Sequence, residues 1–157
     1  MDERINYRTA APEGYRALGA AKKAIEASGL DHALIHLVYL RVSQINGCAY
    51  CVDLHWRDAL AAGVDARKVN SVVTWEEAPF FTARERAAFA WAESLTNVAT
   101  TRAPDEAYDA ARAEFGDAEL ANLSYAIALM NAFNRLGVGF RQKPPLDVAA
   151  PARRAAG

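Results

Sequence analysis

"LIHLVYLRVSQINGCAYCVDLHWRDAL", residues 34–60, decides how this chain folds. It begins as an apolar run in which His36 stands out. It breaks at Asn46-Gly47 and restarts at Cys48, Cys51 and His55. An Asn-Gly pair ends one helix and lets the next begin at the cysteines. On that second helix, spacings of three and four place Cys48, Cys51 and His55 on one face. The stretch therefore predicts a helix pair with a sharp corner, and a dithiol with an in-phase histidine just past it.

Outward from this corner the chain reads as helix after helix, with no clear alternation of apolar and polar residues. A first helix is expected from about Pro12 to about Ser28, with Gly29 as its stop. The next starts after Asp31 and runs to about Ile45. The cysteine helix ends near Gly63, and Asp65 caps a short one over about 66–73. "VNSVVTW", residues 69–75, resembles a strand by composition, but its place before a proline loop favours helix. Thr82 and Glu85 form a capping box that opens a helix to about Asn97. Pro104 begins another that ends near Gly116, and Asp117 caps the last, about 118–135. No repeat of solenoid length is present.

The expected architecture is all-α: a single-domain bundle of about six to seven helices over residues 1–157, with 141–157 as a C-terminal tail. Trp75, Phe80, Phe81, Phe89 and Trp91 are expected in its core, or else at a subunit interface or pocket rim.

Composition narrows the function classes. An apolar fraction of 52% with 24% charged residues is that of an ordinary globular protein. A net charge of -1 gives no electrostatic case for nucleic acid or an anionic membrane surface. No stretch approaches the roughly 18 apolar residues of a membrane span. The polar, acidic start is unlike a secretory signal, so the cytoplasm is the expected compartment. In that compartment two lone cysteines point to catalysis or metal binding before a structural staple.

The chemistry follows from position. Unpaired N–H groups and the positive dipole end at a helix start favour thiolate over thiol. A Cys-x-x-Cys pair there commonly has one thiol well below the free value of about 8.5. His55 can take a proton from Cys51 or stabilise its thiolate. The competing structural reading is two buried free cysteines in a core.

Arg41, Ser43, Gln44, Asn46, Gly47, Cys48, Cys51, Asp53 and His55 together resemble the signature of the carboxymuconolactone decarboxylase superfamily, in its alkylhydroperoxidase D-like branch. "FFTARERAAFAWAESLT", residues 80–96, resembles the segment that follows in that family. The likeness covers about residues 33–98. It implies a helical trimer or hexamer that needs no bound cofactor. It implies Cys51 as the peroxide-reactive thiol, Cys48 as the resolving thiol and His55 in a proton relay. It also implies hydroperoxide as substrate, and a lipoyl or thioredoxin-like dithiol as reductant. The superfamily's decarboxylases lack the cysteine pair, so the pair argues for redox chemistry.

One position departs from the family. The relay glutamate expected twelve residues before Cys48 is His36, and residues 33–42 hold no carboxylate. His36 can replace the glutamate as proton acceptor, since an imidazole of pKa about 6.5 is a competent base near neutrality. It can instead be a satisfied core histidine, with Tyr39 supplying a hydroxyl on the same side. Or Cys48, Cys51, His55 and His36 can form a Cys₂His₂ metal set, with His32 as a further ligand, in a metal-binding or structural oligomer. Tyr50 can shape peroxide access or sit at a surface. Arg41 and Asp53 are candidates for an ion pair beside the site.

Overall fold

The computed structural model describes residues 2–147. Along the chain lie α1 (Tyr7–Ala10), α2 (Pro12–Glu26), α3 (His32–Asn46), α4 (Ala49–Ala61) and α5 (Ala66–Asn70). A 3₁₀ turn (Ser71–Thr74) follows, then α6 (Ala83–Thr96), α7 (Val98–Thr101), α8 (Asp105–Glu114) and α9 (Asp117–Gly139). The seven expected helices are all present, the fourth as α5 with its 3₁₀ extension. The two unforeseen ones, α1 and α7, are single four-residue turns too short to carry a periodic pattern. Most of the expected C-terminal tail, residues 148–157, lies outside the described residues. Among those described, no helix is long and apolar enough to cross a membrane.

Helix α3 is the axis. It packs against α4, α6 and α9. Leu34, Ile35, Leu37, Val38, Tyr39, Leu40 and Val42 are all buried along it. A helix apolar around most of its circumference must be enclosed by others, and each such side chain fully buried is worth about 1.5–3 kcal/mol. Its faces feed two apolar clusters. One joins Leu34, Val38 and Val42 to Leu123 and Ile127. The other joins Leu37 and Leu40 to Trp75, Phe81 and Phe89. Trp75, Phe81, Phe89 and Trp91 are buried as core, and Phe80 is half-buried.

The ends of α3 are chemically specified. The Asp31 carboxylate accepts from the Ala33 N–H at 3.2 Å. At the other end Gly47 adopts φ 65°, a left-handed turn that costs glycine little. Its N–H donates to Gln44 O at 3.3 Å, and the Cys48 N–H donates to Ser43 O at 3.0 Å. This paired closure satisfies the last carbonyls of α3, and Cys48 then serves as the N-cap of α4. Asn46 locks the corner sideways: its Nδ2 donates to Asn131 Oδ1 at 2.9 Å and to Asn134 Oδ1 at 3.0 Å. The fully buried Asn134 donates in turn to Ser43 Oγ at 3.0 Å.

Three local expectations are corrected. The N-cap of α9 is Gly116, whose N–H donates to Glu119 at 3.2 Å; Asp117 is the first helical residue and pairs with Arg112. Arg41 pairs with Glu93 of α6 at 2.7 Å and Asp53 with Arg57 at 2.8 Å, because each has a closer partner than the other. Finally, α9 continues past residue 135 through Gly137 to Gly139. Gly137 is buried, and a Cβ there would lie 2.9 Å from Cys48 Sγ and 3.7 Å from Cys51 Sγ. The glycine is the hollow into which the sulfur pair fits.

Gly137→Ala is therefore expected to destabilise the oxidised protein. Overpacking of this kind costs about 1–3 kcal/mol, against about 1 kcal/mol gained in helix propensity. The expected net loss is on the order of 1 kcal/mol in denaturant unfolding. It should shrink after reduction, when the Cys48 side chain is free to turn aside.

Candidate active site

The α3–α4 corner fixes the cysteines. Cys48 caps α4 and Cys51 is its third residue, so both lie at the positive end of the helix. They are joined as a disulfide with Cα atoms 5.3 Å apart, and both are buried. Cys51 and His55, one turn on, line the same cavity of about 140 Å³, together with Tyr39, Tyr50, Leu54 and Phe133. A wider outer hollow of about 340 Å³ shares Tyr7, Arg8, Tyr50 and Gln142 with it. It forms the vestibule.

His55 is 3% exposed. Its ring lies 5.0 Å from that of Tyr39 and is stacked 6.0 Å from that of His36. His36 thus reaches the site from α3. The residue that sequence reading missed is Asp58. Its Oδ2 lies 3.3 Å from His55 Nδ1 and 3.8 Å from His36 Nδ1. The carboxylate absent from α3 is supplied by α4, one turn beyond His55. Neither contact has hydrogen-bond geometry, and both Nδ1 atoms and the Tyr39 hydroxyl are buried without a hydrogen-bond partner.

Burial pushes the His55 imidazole below its usual pKa, and Asp58 opposes this without reversing it. Burial lowers His36 in the same way, again against Asp58. Burial would raise the Asp58 carboxyl, but His55 and His36 outweigh it and hold it below the usual carboxylate range. Tyr39 is pushed up by burial, so its phenol stays protonated. The arrangement at neutral pH is two neutral imidazoles around one carboxylate.

A stability consequence follows. On acidification the unfolded chain protonates its histidines near 6.5, before the folded state does, so it binds more protons and stability falls. The loss begins below about pH 7, with a steepest slope of about 1.4 kcal/mol per pH unit for each histidine. Asp58 adds to the loss below its unfolded pKa, as pH falls through its lowered folded value. Unfolding midpoints are expected to drop between pH 7.5 and 5.5, and to drop less in His55→Phe.

On its other side the triad meets the surface. Asp31, His32, His36 and Asp58 line an open hollow of about 400 Å³. His32 there contacts the Glu26 carbonyl at 3.1 Å and does not join the cluster. The donor atoms of His36, His55 and Asp58 lie within 4.8 Å of one another, and among the described residues they are the set that could hold a divalent ion. Cys48 and Cys51 are bonded to each other and stand outside that set.

The family model for the carboxymuconolactone decarboxylase family matches residues 10–94. An uncharacterised Bacillus subtilis protein, YdfG, is 31% identical over 88% of this chain and 94% of its own length. The alkyl hydroperoxide reductase AhpD of Bradyrhizobium sp. is 44% identical over 50 residues, 32% of this chain and 28% of that protein. A crystal structure from Agrobacterium tumefaciens, of a protein of unknown function described as a candidate antioxidant defence protein AhpD, superposes with a TM-score of 0.90. It is 41% identical and covers 93% of this chain and 100% of its own. The fold and the paired cysteines fit a peroxidase-related role. The chain belongs to the carboxymuconolactone decarboxylase family, in its alkylhydroperoxidase D-like branch.

Proposed function

We propose that the protein is a hydroperoxide-reducing thiol peroxidase that works without a bound cofactor. The observation that carries this reading is that Cys51 and His55 line one cavity while Cys48 is bonded to Cys51. In the reduced protein His55, neutral because it is buried, accepts the Cys51 proton. Asp58 beside Nδ1 favours the tautomer with its proton there, which leaves Nε2 as the acceptor. The thiolate attacks the outer oxygen of the hydroperoxide. The O–O bond breaks, Cys51 becomes a sulfenic acid, and the alkoxide leaves as alcohol with the proton His55 returns. Cys48 then attacks the sulfenic sulfur, water departs, and the disulfide forms. An external dithiol, lipoyl or thioredoxin-like by family resemblance, gives two electrons and two protons to restore the thiols. The same resemblance supports a trimer or hexamer.

One equivalent of organic hydroperoxide added to the reduced protein tests the reading. Both thiols should disappear and one disulfide form per chain; thiols that persist through the treatment would sink it.

A second reading rests on the His36, His55 and Asp58 donors: a divalent-ion site. Stoichiometric metal in protein purified without added metal would favour it. A decarboxylase reading rests on the family name alone, and would require activity that survives serine at both cysteines.

A further inference from the structure

We propose that Arg8 makes the Cys51 cavity selective for hydroperoxides that carry a carboxylate on a small apolar body. This rests on the peroxidase reading and names its substrate class.

The observation is a cation without an anion. Arg8 lies on α1, at the junction of vestibule and inner cavity. Its guanidinium carbon sits over three rings: Tyr50 at 5.2 Å, Tyr15 at 5.4 Å and Tyr7 at 5.9 Å. Most other arginines have partners. Arg16, Arg41, Arg57, Arg84 and Arg112 pair with carboxylates. Arg86 donates to the backbone carbonyls of Trp75, Glu76 and Ala78. Arg8 has no carboxylate partner among the described residues. The one acid lining the vestibule, Glu3, is engaged by the Lys143 N–H at 2.9 Å. Lys22, the other cation lining the inner cavity, pairs with Glu26 at 2.9 Å.

Three tyrosine rings hold the guanidinium by cation–π attraction, and no carboxylate of the described residues occupies its N–H edge. That planar edge matches a carboxylate through two parallel hydrogen bonds. The strap bearing Arg8 is itself tied down. Arg4 N–H donates to Phe140 O at 3.0 Å, Arg4 Nη1 to Gly139 O at 2.8 Å, and Tyr7 Oη to Gln142 Oε1 at 2.9 Å. The cation is therefore positioned before any ligand arrives.

The space between Arg8 and Cys51 sets the rest of the class. The inner cavity is lined by Leu54, Met130, Phe133 and the tyrosines, and no carboxylate lines it. Its volume of about 140 Å³ is close to that of engineered cavities of about 150 Å³ that take a benzene ring. A substrate with its peroxy group at Cys51, a ring-sized apolar body and a carboxylate at the mouth fills the site. The reaction is unchanged: the O–O bond breaks and the hydroxy-carboxylate leaves.

Two measurements test this. The first is kcat/KM for cumene hydroperoxide and for its ring-carboxylated analogue, with wild type and Arg8→Gln. The carboxylated peroxide is expected to be favoured at least tenfold by wild type. Arg8→Gln should abolish that preference, lowering kcat/KM for the carboxylated peroxide at least tenfold more than for cumene hydroperoxide. Equal kcat/KM for the two peroxides, or equal losses on both in the variant, overturns the proposal. The second is calorimetric binding of 4-isopropylbenzoate and of its neutral amide, which needs no peroxidase activity. Carboxylate binding lost in Arg8→Gln supports the subsite even if no peroxide is reduced, in which case the peroxidase reading alone fails. Binding indifferent to charge or to Arg8 overturns the subsite.

Discussion

Replacing Cys51 with serine is expected to lower hydroperoxide turnover on the order of 10³-fold or more, the scale of losing an activated nucleophile. Cys48→Ser is expected to behave differently. It should complete one attack and then stop, holding a sulfenic acid that a dimedone-type reagent captures at Cys51. The two sulfurs are inequivalent in their surroundings. Cys51 lines the cavity with His55, whereas Cys48 does not line it and faces Gly137 of α9. Mass spectrometry after a single peroxide addition separates the roles. A trapped sulfenic acid at Cys48 in Cys51→Ser, with none at Cys51 in Cys48→Ser, would reverse the assignment.

The second large effect is expected at His55. Removing a general base typically costs 10²–10⁴-fold, and His55→Phe should fall in that range for the attack step. The loss should ease as pH rises and the thiol ionises unaided. Asp58→Asn keeps the shape but not the charge, and should cost about tenfold, roughly 1.4 kcal/mol. It should also move the acidic limb of the pH profile to lower pH, since the carboxylate that favours imidazolium is gone. His36→Glu should preserve or raise the rate and His36→Phe lower it. Equal rates for wild type and His36→Phe would take His36 out of the relay and leave Asp58 with His55 alone.

The helix pair was legible because its instructions are local. Asp31, Gly47 and the Thr82–Glu85 box act on backbone groups two or three residues away, and each cap is found where the sequence puts it. The convergence of Cys48, Cys51 and His55 on one helix was legible for the same reason, a fixed spacing on a regular rod. Asp58 was overlooked because the missing acid was sought along α3, where residues 33–42 offer none. The signal was present as a His-x-x-Asp spacing on α4, which puts both side chains on one face. Gly137 and Arg8 were not legible. Their roles come from contacts between α9 or α1 and a corner far away in sequence, and no local pattern encodes them. A glycine near a helix end reads as a stop, and an arginine in a polar leader reads as solvated.

His55 occupies a partition with a different opening on each side. Tyr50, Cys51 and Arg8 face one opening; His36 and Asp58 face the other. Under the proposed peroxidase chemistry, organic traffic and proton traffic would have separate doorways. A bulky reducing partner seated over the vestibule would block the first and leave the second open to water. Charge neutrality at the sulfurs could then be restored while the electron donor is still docked, so that reduction does not wait on undocking.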